Sequence, residues 1–229
     1  MTHYVIVGNG VAGLRAVEVI RKRDGEGKIT LPSDEPHPFY YRPQLADYVG
    51  GLIEESSLWT RSQDFFARQQ ITPLLGKRVV GVDPERRTVL LEDGGKVDYE
   101  PPLLAPGGYF ELPAGGALCP QDPKRRTERL RRMTAPSEQA LVGGEGLFGL
   151  EAARGLRERG LKVSYLLQKD RFWPEALEEV ASELVTSHLQ SKGVEVLPGT
   201  EVEAVWAPGG RVQGVSTSDG RLIKGQVLG

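Results

Sequence analysis

Two glycine-rich segments in this chain of 229 residues have the spacing G-x-G-x-x-G. With the residues between the second and third glycine, they comprise Gly8, Gly10, Val11, Ala12 and Gly13, and then Gly144, Gly146, Leu147, Phe148 and Gly149. In this pattern the first glycine permits a tight turn, the second lets the backbone approach a pyrophosphate, and the third lets a helix pack on a strand. The spacing therefore predicts two dinucleotide sites, although either match alone would equally fit a turn without a ligand.

The segments around both glycine loops favour the dinucleotide interpretation. Residues 4–7 are an apolar β-rich run, residues 11–23 have apolar residues at helical spacing, and residues 28–31 are the next predicted strand. The same order restarts with a strand at 139–142 and a helix at 147–159. A helix that begins at such a loop offers unpaired N–H groups and the positive end of its dipole to phosphates. Helical crossovers between apolar strands predict a parallel sheet in each half.

Shorter segments predict antiparallel insertions into both halves. Residues 79–83 and 88–91 are predicted strands in the first half, and residues 201–207, 211–216 and 222–228 are predicted short antiparallel strands in the second. We therefore expect an α/β fold. It would consist of two tandem Rossmann-like βαβ dinucleotide-binding units with three-layer parallel sheets and antiparallel β-meander insertions.

The domain boundary is expected in a stretch rich in glycine and proline. Residues 1–108 would form the first domain and residues 109–229 the second, with residues 109–136 as the crossover. Within the crossover, residues 124–133 are basic and predicted to be helical. This basic cluster has two interpretations: a solvated helix face, or a docking patch for an acidic electron carrier.

The composition argues against several classes of function. The formal net charge of −2 gives no reason to expect a nucleic acid, and no apolar run is long enough to span a membrane. The first residues show no basic segment followed by an apolar core, so we expect no secretory signal. Cys119 is the single cysteine, which excludes an intrachain disulfide and fits a reducing cytoplasm. His3, His37 and His188 lack metal-ligand spacing, so no metal is expected.

An acidic residue about 20 residues after the glycine loop normally binds ribose hydroxyls. Asp34 and Glu35 follow the second predicted strand of the first unit and can fill this role, with Asp34 the preferred candidate. In the second unit the equivalent place holds Gln168, which is not acidic. Lys169 and Arg171 lie close by and could favour a 2′-phosphate, but basic residues after a strand are common. The choice between NADH and NADPH stays open at this level.

Further motifs accompany the glycine loops. They are the aromatic-x-Arg-Pro-x-Leu segment at 40–45, Gly-Lys-Arg-Val at 76–79, Leu-Leu-Ala-Pro-Gly-Gly at 103–108 and Gly-Leu-Glu-Ala-Ala at 149–153. Together with the loops, these segments resemble the FAD-dependent pyridine nucleotide oxidoreductases from residue 4 to the end of the chain. The nearest branch looks like the NADH–rubredoxin or ferredoxin reductases and the flavin module of assimilatory nitrite reductases.

The resemblance implies a function and specific site residues. The first unit would hold FAD and the second NAD(P)H, and electrons would pass through FAD to rubredoxin, ferredoxin or a nitrite reductase subunit. The implied FAD contacts beyond the first loop are Arg42, Pro43, Val79, Ala105 and Gly107. Glu151 matches the family glutamate that approaches flavin and nicotinamide, so it is the catalytic candidate; otherwise it is a carboxylate stabilised by the helix dipole.

The chain also departs from the family pattern. Pro106 stands where the family usually has threonine, and Asp47 where the ferredoxin-reductase relatives have lysine. The redox-active pair of cysteines is absent, which disfavours disulfide reductases and NADH oxidases with an active-site cysteine. Family members continue past the nicotinamide unit with a segment that returns to FAD, so this chain looks like a fragment or a relative shortened at its C-terminus.

Two alternatives to the reductase hypothesis follow from these departures. One is a nucleotide-binding module without turnover, or an inactive fragment of such a reductase, which the missing return segment and Pro106 favour. The other is an NADH oxidase that delivers electrons to oxygen. A homodimer is compatible with the sequence, which does not decide the oligomeric state.

Overall fold

The computed structural model describes residues 1–61, 64–100, 102–107, 124, 127–128, 131, 139–144, 146–210, 212–225 and 227–228. Its contacts divide the chain into two compact units. The first comprises Met1–Tyr41 and Ser56–Tyr109, and the second comprises Arg42–Glu55 and Phe110–Gly229. The segment Arg42–Glu55, which the sequence placed within residues 1–108, therefore makes its contacts in the second unit.

A four-stranded parallel sheet forms the centre of the first unit, in the order β3-β2-β1-β7. Its strands are β1 (His3–Val7), β2 (Lys28–Ser33), β3 (Ile71–Leu75) and β7 (Pro102–Leu104), and helix α1 (Val11–Arg23) connects β1 to β2. One face packs on α1, because Ile6 of β1 shares a buried cluster with Leu14 and Val17. A short helix, α3 (Phe65–Arg68), precedes β3.

An antiparallel meander covers the other face of this sheet. It consists of β4 (Val79–Asp83), β5 (Thr88–Leu91) and β6 (Lys96–Asp98), in that order. Val5 and Val7 point to this side of β1 and pack against Val89 of β5. Because alternate residues of a strand face opposite sides, the apolar residues Val5, Ile6 and Val7 of β1 are all buried between helix and meander. The first unit therefore has three layers, as predicted.

The second unit repeats this architecture. Its parallel sheet has the order β10-β9-β8-β14, with β8 (Gln139–Gly143), β9 (Lys162–Leu166), β10 (Val194–Leu197) and β14 (Val227–Leu228). Helices α4 (Leu147–Glu158) and α5 (Glu179–Ser191) make the crossovers, and the meander is β11 (Val202–Trp206), β12 (Gly214–Thr217) and β13 (Leu222–Lys224). Ala140 and Val142 lie in the cluster that includes Leu156 of α4, whereas Leu141 packs with Val215 of the meander. The two tandem units with parallel sheets and meanders confirm the predicted fold class.

The end of the chain corrects one prediction. Residues 222–228 do not form a single antiparallel strand: β13 pairs antiparallel with β12, and β14 pairs parallel with β8. Gly225 lies between them, and a Cβ at this position would be 2.5 Å from Cγ of Leu141. The chain can therefore pass close to Leu141 and change sheets only because residue 225 has no side chain. The alternation pattern gave no sign of this crossing.

A short helix, α2 (Leu45–Gly50), which the sequence did not predict, packs against α4 within the second unit. Ala46 and Val49 are buried in it, and Val49 belongs to the main core cluster of the second unit. Arg154 of α4 forms an ion pair with Asp47 at 2.7 Å. Asp47 thus stabilises the packing of α2 on α4.

Gly155 makes this helix contact close, and replacing it tests the contact. A Cβ on Gly155 would be 2.6 Å from the carbonyl oxygen of Ala46 and 3.3 Å from Cβ of Val49. Alanine in a helix interior is more stabilising than glycine by about 1 kcal/mol, but overpacking a close contact lowers the free energy of unfolding by about 1–3 kcal/mol. We expect Gly155→Ala to lower the free energy of unfolding by about 1 kcal/mol net, measured by urea denaturation. Gly25→Ala, where a Cβ meets nothing within 4 Å, is the control, and a more stable Gly155→Ala protein would contradict the packing.

No helix among the described residues combines the length and the apolar character needed to cross a membrane.

Candidate functional site

The first glycine loop leaves no space for side chains at two positions. Gly8 has φ +108°, and a Cβ on it would collide with the carbonyl oxygen of Ala105. A Cβ on Gly13 would collide with the carbonyl oxygen of Gly8. The Gly8 N–H donates to the carbonyl oxygen of Pro32 at 2.9 Å, which ties the loop to the end of β2. The loop is thus a tight turn that only glycine permits, as the spacing predicted.

Helix α1 opens directly from this turn. Gly10 is its N-cap residue, with extended backbone and no capping side chain, and the first turn contains no acidic residue. Val11 is 65% exposed, and Ala12 is exposed as well. The first N–H groups of a helix lack intrahelical partners and lie at the positive end of its dipole. This surface therefore suits a phosphate.

The loop also lies where ligands bind in open α/β sheets. Strand β1 has β2 on one side and β7 on the other, so the chain order reverses at β1. Ala105, just after β7, donates its N–H to the carbonyl oxygen of Val7 at 2.8 Å, which places the ends of β1 and β7 together. Crevices outside the carboxyl ends of strands at such a switch point are the usual dinucleotide sites.

Of the two candidate ribose carboxylates, the structure buries Glu35 and exposes Asp34. Both follow the end of β2. The carbonyl oxygen of Glu35 accepts the N–H of Gly76 at 3.1 Å, so the loop after β2 is joined to the segment that precedes Val79. In that segment Lys77 binds Asp93 at 2.6 Å, and this hydrogen bond lowers the pKa of the Asp93 carboxyl. The structure thus brings Glu35 and the 76–79 segment together at the carboxyl end of β2.

Sequence reasoning missed Asn9, the residue between the first two glycines. Asn9 is 5% exposed and donates from Nδ2 to the carbonyl oxygen of His37 at 3.1 Å, fixing the loop after β2 to the glycine loop. Its Oδ1 is buried and has no hydrogen-bond partner among the described residues. Buried acceptors are normally satisfied, so this oxygen fits a ligand hydroxyl or a bound water. The G-x-G spacing places no demand on this position and gave no signal.

The second glycine loop has the same backbone shape as the first. Gly144 has φ +117°, and Gly146 is an extended N-cap residue of α4 with no capping side chain. A Cβ on Gly149 would collide with the hydroxyl of Tyr165, whereas a Cβ on Gly146 would meet nothing within 4 Å. Leu147 and Phe148 are more than half exposed, and Glu145 lies outside the described residues. The backbone at Gly146 therefore has open space for a ligand, which is the space a pyrophosphate needs.

The other predicted site residues are placed as follows. Arg42 is half-buried and begins a 3₁₀ helix, Arg42–Gln44, in the second unit, and Pro43 beside it is exposed. Glu151 is half-buried near the start of α4. Gly107 is exposed in the first unit, and Gly108 lies outside the described residues. The contacts thus group Gly107 with the first glycine loop, and Arg42 and Glu151 with the second.

The basic segment is only partly described. Lys124 is 4% exposed and forms ion pairs with Glu55, at 2.9 Å, and with Glu128. The guanidinium of Arg131 lies over the ring of Tyr48, 4.4 Å from its centroid. Lys124 is therefore buried within the second unit, and Arg131 is half-buried against Tyr48. Cys119 and the remaining cations of the cluster, Arg125, Arg126, Arg129 and Arg132, lie outside the described residues.

With this geometry established, the family assignment follows from comparison with known proteins. The family model described as pyridine nucleotide-disulphide oxidoreductase matches residues 2–228. The chain belongs to this family. Rhodocoxin reductase of Rhodococcus erythropolis is 34% identical over 96% of this chain and 53% of that protein. Nitrite reductase [NAD(P)H] of Bacillus subtilis is 32% identical over 98% of this chain and 28% of that protein.

Solved structures of two reductases show the same fold. The putidaredoxin reductase–putidaredoxin complex superimposes with a TM-score of 0.89 at 27% identity, over 99% of this chain and 57% of that one. The ferredoxin reductase for the CYP199A2 system of Rhodopseudomonas palustris gives a TM-score of 0.86 at 28% identity, over 100% of this chain and 58% of that one. The chain spans about half the length of rhodocoxin reductase and of these two structures. The relatives are reductases, so the comparisons do not favour a module without turnover.

Proposed function

We propose that this chain binds FAD in its first unit and NAD(P)H in its second, and passes electrons from the nicotinamide through the flavin to an acceptor. The observation that carries the proposal is the repeated loop, in which Gly8 and Gly144 have nearly the same positive φ and each precedes a helix at the carboxyl end of a central strand. Two such loops in one chain suit two dinucleotides.

The residues of the first unit fit an FAD molecule. A Cβ at Gly8 or Gly13 would collide with the backbone, so both positions must lack a side chain. The loop backbone is therefore accessible where a pyrophosphate approaches. Of the two candidate carboxylates, we now favour Glu35 over Asp34 to accept the ribose hydroxyls, because Glu35 is joined to the 76–79 segment. The backbone around Val79 would meet the adenine. The unsatisfied Oδ1 of Asn9 supplies one more acceptor at the loop.

The chain's own residues are expected to bind and orient rather than to react. The redox chemistry, hydride acceptance from the nicotinamide and electron release to the acceptor, would be supplied by FAD when it is bound. Gly146, Leu147 and Phe148 would hold the nicotinamide cofactor. Arg42, following the family resemblance, would neutralise the charge of the FAD phosphates. No side chain need act as nucleophile or general base.

The proposed acceptor is a small electron carrier or a reductase partner. Support comes from the relatives of this chain, which include a rubredoxin-NAD(+) reductase, several ferredoxin reductase components and a nitrite reductase. The single cysteine, which cannot form an intrachain disulfide, supports a location in the reducing cytoplasm.

The flavin part of this proposal is tested by comparing FAD with FMN. FMN lacks the adenosine phosphate half, which the glycine loop, Glu35 and the 76–79 segment are proposed to hold. We expect one FAD to bind per chain, at least about 100-fold more tightly than FMN, which is about 2.7 kcal/mol. Flavin fluorescence on titration measures both affinities. Equal affinities, or no binding of FAD, would contradict the assignment of the first unit.

Glu151 is proposed to position the nicotinamide, following the family resemblance. Replacing it with glutamine keeps its shape but removes its charge, so Glu151→Gln is expected to slow flavin reduction by NAD(P)H about tenfold, the effect of one charge-assisted hydrogen bond. Stopped-flow absorbance measures this rate. Glu158→Gln, an exposed change in the last turn of the same helix, is the matched control. Equal reduction rates for Glu151→Gln and the unmodified protein would remove Glu151 from the site.

A further inference from the structure

The loop after β9 lies next to the second glycine loop. Gly143 pairs with Leu166 at the carboxyl ends of β8 and β9, and Gln168 follows two residues later. In dinucleotide-binding units this place holds the side chain that recognises the adenosine ribose: an acid binds the 2′-hydroxyl, and a nearby arginine accommodates a 2′-phosphate. Gln168 is exposed and neutral, and its Nε2 donates to Oε1 of Glu201 at 3.0 Å. Gln168 itself thus contributes no negative charge that would repel a phosphate, and its amide engages the neighbouring carboxylate of Glu201.

Two cations follow Gln168 in this loop. Lys169 forms an ion pair with Glu175, and the hydrogen bond from Lys169 lowers the pKa of the Glu175 carboxyl. The Glu175 side chain is 72% exposed, and exposed ion pairs contribute at most about 1 kcal/mol. A phosphate offers more negative charge and three acceptor oxygens, so Lys169 can exchange Glu175 for it at small cost.

Arg171 has hydrogen-bonding capacity left over. Its Nη2 contacts the carbonyl oxygen of Pro174 at 3.5 Å, the long limit for a hydrogen bond. Its Nε is buried and has no hydrogen-bond partner within the described part of the chain. A guanidinium presents five N–H donors in a planar fork that matches a phosphate. Arg171 therefore adds a second cation two residues after Lys169, with the exposed Asp170 between them.

The backbone of this loop is fixed before any ligand binds. Phe172 is fully buried, with its ring centroid 5.2 Å from that of Tyr165. The Gly199 N–H donates to the carbonyl oxygen of Lys169 at 2.8 Å, and Trp173 accepts the N–H of Ala176 at 2.8 Å. These contacts hold the loop on both sides of Arg171, so little conformational entropy is lost from the loop when a ligand binds.

We propose that the second unit selects NADPH, with Lys169 and Arg171 binding the 2′-phosphate and Gln168 replacing the carboxylate that would repel it. This inference rests on the proposed function, since it assumes that the second unit holds the nicotinamide cofactor. It specifies NADPH rather than NADH as the cofactor and names the residues that determine this preference.

The test is calorimetric titration of the full chain with adenosine 2′,5′-bisphosphate and adenosine 5′-monophosphate, which differ only in the 2′-phosphate. We expect the bisphosphate to bind at least about tenfold more tightly. Lys169→Ala and Arg171→Ala should each remove most of this preference, and Gln168→Glu should reverse it. Lys162→Ala removes the same charge at the other end of β9, about 13 Å away, and should change nothing.

Each outcome decides the inference. Equal binding of the two nucleotides, or a preference that survives both alanine substitutions, would overturn NADPH selection while leaving the proposed function in place. If neither nucleotide binds, the assignment of the second unit as the nicotinamide site fails, and this inference fails with it. Glu175→Gln releases Lys169 from its ion pair, and Glu179→Gln is the matched control. A larger increase in affinity for the bisphosphate in Glu175→Gln than in Glu179→Gln would support the exchange of ion-pair partners.

Discussion

Replacing Gly146 with valine is expected to raise the dissociation constant for NAD(P)H about 100-fold or more while leaving the protein folded. A Cβ on Gly146 meets nothing within 4 Å, and its backbone is extended, so valine fits without strain. The same side chain would fill the space in which the pyrophosphate approaches the start of α4. Losing that approach is expected to cost about 2.7 kcal/mol of binding free energy. Titration calorimetry with NADPH and NADH measures the effect.

The control for this substitution is Gly25→Val, in an open loop of the first unit where a Cβ also meets nothing. Both variants should unfold near the urea midpoint of the unmodified protein, and both should retain FAD. If Gly146→Val bound the nicotinamide cofactor as tightly as Gly25→Val does, the second glycine loop would not be a pyrophosphate site.

Gly8→Ala and Gly144→Ala are expected to differ, although the two glycines occupy the same place in their loops. Both have φ above +100°, which costs an alanine about 1–3 kcal/mol. At Gly8 the added Cβ also collides with the carbonyl oxygen of Ala105, whereas at Gly144 it meets nothing within 4 Å. We expect Gly8→Ala to lose about 2 kcal/mol more stability than Gly144→Ala, because overpacking adds to the strain.

Urea denaturation of the flavin-free proteins compares the two variants without a contribution from bound cofactor. Gly8→Ala should also fail to retain FAD, since the collision displaces the loop from the end of β7. Equal losses of stability in the two variants would show that the close contact between Gly8 and Ala105 does not exist in solution.

The glycine spacing predicted the loops because it reflects a local steric requirement. Positions 8 and 13 must lack side chains for the turn to form and the helix to pack. This requirement appears in the sequence as glycines at fixed spacing. The alternation of apolar runs and helical periodicity likewise predicted both parallel sheets and both meanders. These features depend on neighbours that are near in sequence or repeat with a fixed period.

The features that sequence reasoning missed depend on contacts between distant residues. Asn9 is recognisable only from its contact with His37, and the burial of Glu35 rather than Asp34 depends on how the chain leaves β2. Packing of α2 on α4 relies on the fit between Gly155 and Ala46, which are 109 positions apart in the sequence. No local pattern encodes such pairs, so only the folded chain shows them.

The most direct test of the central claim is an anaerobic visible spectrum of the protein with FAD bound, recorded before and after NADPH and, separately, NADH. We expect the flavin absorption to bleach with a reduced nicotinamide cofactor and to return when an electron acceptor is added. A bound flavin that keeps its full absorption with an excess of both cofactors would contradict electron transfer from the second unit to the first.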